Sequence, residues 1–213
     1  MGPRITYYDD GCGERIELST VTLANWAAKT ANLLRDEFGV GPGSRVAVLL
    51  PAHWQTAAVL LGVWWIGAEV VSSGAADVAL CTRDRLDEAD SSGAAEIAVL
   101  SLDPFGKPAE DVPIGVTDYA TAVRVHGDQI VPERAPGPAL DGQSVDDVLA
   151  SARLRAESLG LSDSDRVMAL VPLPTEDLAA VLASGASVIM VTNPDAGALE
   201  RRRTTEKVTR TLE

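Results

Sequence analysis

Cysteine, aromatic rings and positive charge are all scarce in this chain. Its 213 residues include two cysteines, two histidines and only 4 % aromatics. Two thiols, Cys12 and Cys81, behind an N-terminus (MGPRITYYDD) without an apolar leader do not make a disulfide framework, and both are expected to be reduced. His53 and His126 are remote in sequence and have no cysteine or carboxylate spacing around them, so they carry no metal-site signature. Lys and Arg number 18 against 31 Asp and Glu, a formal net charge of −13. Such a surface repels phosphate backbones and anionic lipid, which argues against nucleic-acid and membrane-surface binding. Long apolar runs are missing too. Trp64–Val71 is broken by Gly67 and Glu69 and falls far short of the ~20 residues of a membrane helix. A cytoplasmic protein is expected.

What is present is an ordinary globular composition, 46 % hydrophobic, in a chain long enough for one large domain or two small lobes. It is organised around Val40–Ser72. A glycine-rich turn feeds the apolar run Val46–Leu50, Pro51 stops it, an apolar helix spans about 53–66, and Gly67 ends that helix before a second run at Ala68–Val71. This is a strand–helix–strand unit. Gly39, Gly41 and Gly43 follow a helix and open a strand, the reverse of a dinucleotide fingerprint, and read as cap and turn glycines. His53 stands just past the strand's carboxyl end, where open α/β sheets hold ligands, and is one candidate contact residue.

Upstream, residues 5–18 alternate around Asp9–Gly13 as a β-hairpin, with the Asp9–Asp10 pair serving the turn. Leu23, Trp26, Ala27, Thr30, Ala31, Leu34 and Phe38 give one apolar face to a helix over about 20–37, capped by Ser19. Downstream, Val78–Thr82 and Ile97–Leu100 read as strands flanking a charged helix, Arg83–Ser92, so a mostly parallel sheet is expected. Prolines punctuate 103–142, where Ile114–Thr117 and Val123–Val125 read as short strands and Ala135–Gly142 as a mobile loop between lobes of about 1–134 and 143–213. Ser144 caps a helix to Leu159, with Asp146 and Asp147 in its first turn. The polar end, 193–213, reads as a solvated helix face carrying Arg201–Arg203.

The organising unit then recurs. LGLSDSDRVMALVPLPTEDLAAVLASGASVIMV repeats FGVGPGSRVAVLLPAHWQTAAVLLGVWWIGAEVV, with Arg166 matching Arg45, Pro172 matching Pro51 and Gly185–Ala186 matching Gly67–Ala68. Two related βαβ lobes are expected.

These segments resemble the N-terminal part of the adenylate-forming superfamily, the acyl-CoA synthetases, firefly luciferase and peptide-synthetase adenylation domains. The likeness rests on Ala24-Asn25, Ala31-Asn32-Leu33-Leu34, GVGPGSRVAVLLP at 39–51, Asp165-Arg166-Val167, Leu170-Val171-Pro172-Leu173 and Glu206-Lys207-Val208-Thr209. Within that superfamily the chain is most similar to a group of short actinobacterial proteins. The resemblance implies a truncated adenylate-forming α/β fold. It also exposes departures. Where the family has a Ser/Thr/Gly-rich phosphate loop ending in Pro-Lys-Gly, this chain has roughly Ala135–Ser144, without lysine or a hydroxyl run. Pro174, Thr175 and Glu176 stand where an aromatic or histidine lines the family's acyl pocket. The later motifs and the catalytic C-terminal domain are not in the sequence. No family catalytic residue can be carried over. A non-catalytic binding or assembly protein is therefore expected, a homo-oligomer or a partner of another protein, with no metal and no cofactor. The alternative is an acid-activating enzyme whose ATP or AMP is held by a substituted cradle at the helix N-termini near His53 or Ser144.

Overall fold

The amphipathic and apolar segments settle into alternating strands and helices in the computed structural model, which describes residues 2–212. In chain order these are β1 (Ile5–Asp9), β2 (Glu14–Leu18), α1 (Thr20–Asp36), β3 (Arg45–Leu49), α2 (Trp54–Trp65), β4 (Glu69–Val71), β5 (Val78–Cys81), a 3-10 turn (Arg83–Arg85), α3 (Leu86–Ser91), β6 (Glu96–Val99), β7 (Thr117–Asp118), α4 (Tyr119–Val123), α5 (Val145–Ser158), β8 (Arg166–Leu170), α6 (Thr175–Ser184), β9 (Ser187–Thr192), α7 (Ala196–Thr205) and β10 (Arg210–Leu212). The fold is α/β, with mostly parallel sheets flanked by helices.

The chain forms two compact units. One takes the residues up to Leu23, Pro51–Trp54 and the chain from Asp146 onward. Its sheet has the order β10-β8-β9-β1-β2, parallel except for the antiparallel edge pair β1–β2. Met168, Ile189 and Val191 form the core of one face, packed against Tyr8, Leu199 of α7 and Val208. The other unit holds Ala24–Leu50 and Gln55–Val145. Its sheet, β4-β3-β5-β6-β7, is parallel throughout. Its strands read as continuous apolar runs because both faces are covered. On one face Ala47, Leu49, Ala79, Cys81, Ile97 and Val99 pack with Ala89 and Leu86 of α3.

The repeat has a structural counterpart. β3–α2–β4 and β8–α6–β9 are both helix-linked pairs of adjacent parallel strands. Both helices stop at a glycine in the left-handed region, Gly67 (φ 74°) and Gly185 (φ 88°), where a side chain would be strained.

Five sequence expectations are revised. The units are not divided at 135–142: the hairpin β1–β2 joins the C-terminal unit because β1 pairs with β9, Ile5 opposite Val188 through Asp9 opposite Thr192. Val123 ends a short helix rather than opening a strand. Asp118 caps that helix, accepting from the Thr121 amide, and Tyr119, Ala120 and Val123 are buried. Of the proposed strand Ile114–Thr117 only Thr117 pairs with the sheet, together with Asp118 beyond it. The polar end contains an edge strand, β10, beside its helix. Finally, Ala135–Gly142 is pinned rather than loose, as described next.

Candidate functional site

Pro51 ends β3, and the chain turns through Ala52 to His53 before Trp54 opens α2. The turn carries His53 inward, to 1 % exposure. Its ring meets the Tyr7 ring edge-on at 4.4 Å, and its Nε2 lies 4.0 Å from Glu14 Oε1. Burial holds the imidazole below its ordinary value, against the opposing pull of Glu14 and Asp9. The same burial, helped by the charges of Asp9 and Glu14, pushes the Tyr7 hydroxyl up. His53 is thus enclosed within its own unit.

Ser144 is exposed and directly precedes α5, whose first turn carries Asp146 and Asp147. These carboxylates suit the positive helix end and disfavour a second anion there. Ser144 and His53 fall in different compact units.

The segment standing in the phosphate-loop position is a strap along the edge of β4. The Val70 amide donates to Ala139 O at 2.9 Å, and the Asp141 amide returns to Val70 O at 3.0 Å. Trp64 Nε1 also donates to Ala139 O, at 2.8 Å. The Gly137 amide donates to Gly67 O. The Gly142 amide donates to the buried Glu69 carboxylate at 2.5 Å, and Asp141 Oδ1 accepts from the Ser72 amide at 2.9 Å. A phosphate cradle needs free amides and a cation. Here the amides are committed, the segment has no lysine, and two carboxylates, Glu69 and Asp141, face it. These residues do not fit a triphosphate.

A charged cluster that the sequence reading missed sits over the Tyr8 face of the first sheet. Glu206, 8 % exposed, accepts from the Tyr8 hydroxyl, from Arg166, and from Arg15 Nη2 at 2.9 Å. Burial works to raise the Glu206 carboxyl, but these three donors outweigh it and hold it down at about 2. Arg166 also reaches Thr6 Oγ1 at 3.0 Å. Beside them, Arg202 does not lie on the solvated face expected of Arg201–Arg203. Its guanidinium stacks 4.0 Å from the Tyr8 ring centroid and grips Asp10 through bonds of 2.6 and 3.0 Å. Asp10 is therefore an ion-pair partner as well as a turn residue, while Asp9 does serve the turn, accepting from the Gly11 amide. Period and propensity carry no trace of a pair such as Asp10–Arg202, whose members stand at opposite ends of the chain. The one available signal was an acid, Glu206, three residues after the basic run Arg201–Arg203.

Chemically, this cluster is a lock. A carboxyl held at about 2 cannot exchange protons near neutrality. The buried Cys81 thiol is pushed up to about 11 and is not a nucleophile at neutral pH.

No family model matches the chain. A TIGR03089 family protein from Mycobacterium tuberculosis (strain ATCC 25618 / H37Rv) is 62 % identical over 223 residues, covering 100 % of this chain and 92 % of the relative. The chain belongs to the TIGR03089 family. Solved structures resemble this family member in fold. Brucella canis acyl-CoA synthetase matches with a TM-score of 0.77 at 20 % identity, over 98 % of this chain and 44 % of its own length. Acetoacetyl-CoA synthetase from Streptomyces lividans matches at 0.77 and 20 %, over 99 % and 39 %. The N-terminal domain of FACL13 from Mycobacterium tuberculosis matches at 0.68 and 18 %, over 99 % and 59 %. The chain thus has the fold of the N-terminal domain of the adenylate-forming enzymes and spans less than two thirds of these structures. At such identities the likeness is one of fold.

Proposed function

We propose that this TIGR03089 family protein is a non-catalytic relative of the adenylate-forming enzymes that acts as a binding or assembly protein. The observation that carries the reading is the strap. Its amides at Gly137, Asp141 and Gly142 are spent on Gly67 O, Val70 O and the Glu69 carboxylate, so the place of a triphosphate cradle is filled by structural bonds. The assembly half of the reading is supported by exposed apolar side chains. Phe105, Ile114, Val125 and Val131, all between residues 105 and 131, are at least 75 % exposed. Large apolar groups left in water mark association surfaces when they are contiguous.

The test is calorimetric titration with ATP, with and without magnesium, on the folded chain. The expected result is no heat of binding at millimolar nucleotide. Saturable binding at micromolar nucleotide would overturn the reading in favour of acid activation with a substituted cradle, and acid-dependent pyrophosphate release would then be the assay. Sedimentation equilibrium tests the assembly half: self-association at micromolar concentration is expected, and a clean monomer with no partner counts against it.

A further inference from the structure

Each sheet ends in two outer strands, and three of these edges are blunted. β4 carries the strap, bridged to it through Val70 and Leu140, β7 has 2 residues and β10 has 3. The remaining edge, β2, runs for 5 residues, and no strand among the described residues pairs with its outer side. An open edge of this length is a template for another strand.

The backbone groups it offers follow from β1. The Val188 amide donates to Arg4 O and the Asp10 amide to Thr192 O, so Thr6 and Tyr8 between them turn their backbone groups to β9. Ile5, Tyr7 and Asp9 then turn theirs to β2, where they stand opposite Leu18, Ile16 and Glu14. Successive residues of a strand present their amides and carbonyls to opposite sides. The N–H and C=O groups of Arg15 and Glu17 are therefore the ones on the free edge. Both side chains are exposed, at 45 % and 41 %.

Charge selects what pairs there. Two copies of β2 that meet antiparallel about a two-fold axis must set outward-turned residues opposite each other. One register puts Arg15 opposite the partner's Arg15, and another puts Glu17 opposite the partner's Glu17. Like charges directly opposite are destabilising. The register centred on Ile16 puts Arg15 opposite the partner's Glu17, and Glu17 opposite the partner's Arg15. Each of these pairs exchanges both of its backbone hydrogen bonds, and every charge has an opposite charge both along its own strand and across the axis. On the other face the half-buried Ile16 meets the partner's Ile16.

We propose that β2 is a self-association edge, through which two copies of this chain pair along Glu14–Leu18 in the register centred on Ile16 and join their first sheets into one. The inference rests on the assembly half of the proposed function and gives it a surface other than the apolar side chains between 105 and 131. Arg15 is already oriented for the contact. Its Nε donates to the Tyr8 hydroxyl at 2.8 Å and its Nη2 to Glu206 at 2.9 Å, so little side-chain freedom is lost on pairing.

The experiment is sedimentation equilibrium of the full chain at micromolar concentration. The wild type and Glu110→Arg, which reverses an exposed acid away from the edge, are expected to dimerise with equal affinity. Glu17→Arg sets arginines opposite one another and is expected to weaken the dimer at least tenfold, with an unchanged circular dichroism spectrum. Register is read separately. Ile16→Cys, in a Cys12→Ser background, is expected to form a covalent dimer on mild oxidation, because residues of a non-hydrogen-bonded antiparallel pair have Cα atoms about 4.5 Å apart, within disulfide reach. A monomeric wild type overturns this inference together with the self-association expected above. A dimer that Glu17→Arg leaves intact, an equal loss in Glu110→Arg, or a dimer in which Ile16→Cys does not cross-link overturns this inference alone and leaves the apolar side chains as the contact.

Discussion

Two buried titratable residues set how this molecule responds to acid. His53 is held below 6.5 by burial. As pH falls below 6.5 the unfolded chain takes up a proton that the folded chain refuses. The stability from a neutral His53 is therefore complete above 6.5 and lost as pH falls through the folded value. Urea midpoints at pH 7.5 and 5.5 should differ more in the wild type than in His53→Gln, and equal differences would refute the assignment. Glu206 works in the other range. Its folded value of about 2 lies below the ordinary 4.5, so its contribution is complete above 4.5 and disappears as pH falls through 2. The gap corresponds to about 3 kcal/mol at neutral pH. Glu206→Gln leaves the largely buried Arg166 without its carboxylate and should cost about 3 kcal/mol in denaturant unfolding at pH 7. A loss below 1 kcal/mol would mean that water already solvates the lock.

Among elements, the approach of α1 and α2 is set by Gly62. A Cβ there would stand 2.9 Å from Ala27 O and 3.1 Å from Ala31 N, both backbone atoms of α1. Gly62→Ala should therefore destabilise by about 1–3 kcal/mol despite the better helix propensity of alanine, as overpacking does. A thermal melt that rises instead would show that the helices can part at no cost. The strap offers a second case. Asp141→Ala removes the acceptor for the Ser72 amide and puts alanine at φ 44°. A loss of about 1–2 kcal/mol is expected, with faster limited proteolysis near residue 141. Most elements were legible in sequence because their signals are local: Ser19 before α1, Pro51 after β3, glycines after α2 and α6. The strap was not. Its prolines and glycines read as looseness, whereas its order comes from the edge of β4 and from Glu69, a charge inside an apolar run. α4 was misread for want of its cap, although Asp118 and Thr121 stand at capping spacing.

For the whole molecule, the α/β class and the repeated βαβ unit could be read from apolar runs and turn residues, since covered parallel strands leave an unmistakable composition. The make-up of the two units could not, because nothing local tells β1 that its partner is β9. The charged lock was illegible for the same reason: Tyr8, Arg15, Arg166 and Glu206 meet only after the sheet has closed. That closure also carries a consequence for biosynthesis. Ile5 leaves the ribosome long before its partner Val188 has been made. At 5–20 residues per second the hairpin waits roughly ten to forty seconds for its place in the sheet. During that wait Ile5 and Tyr7, both buried in the finished protein, are open to solvent and to chaperones, while all of Ala24–Val145 emerges and can fold around its own parallel sheet. The first sheet is thus held open at β1 until β9 has been translated.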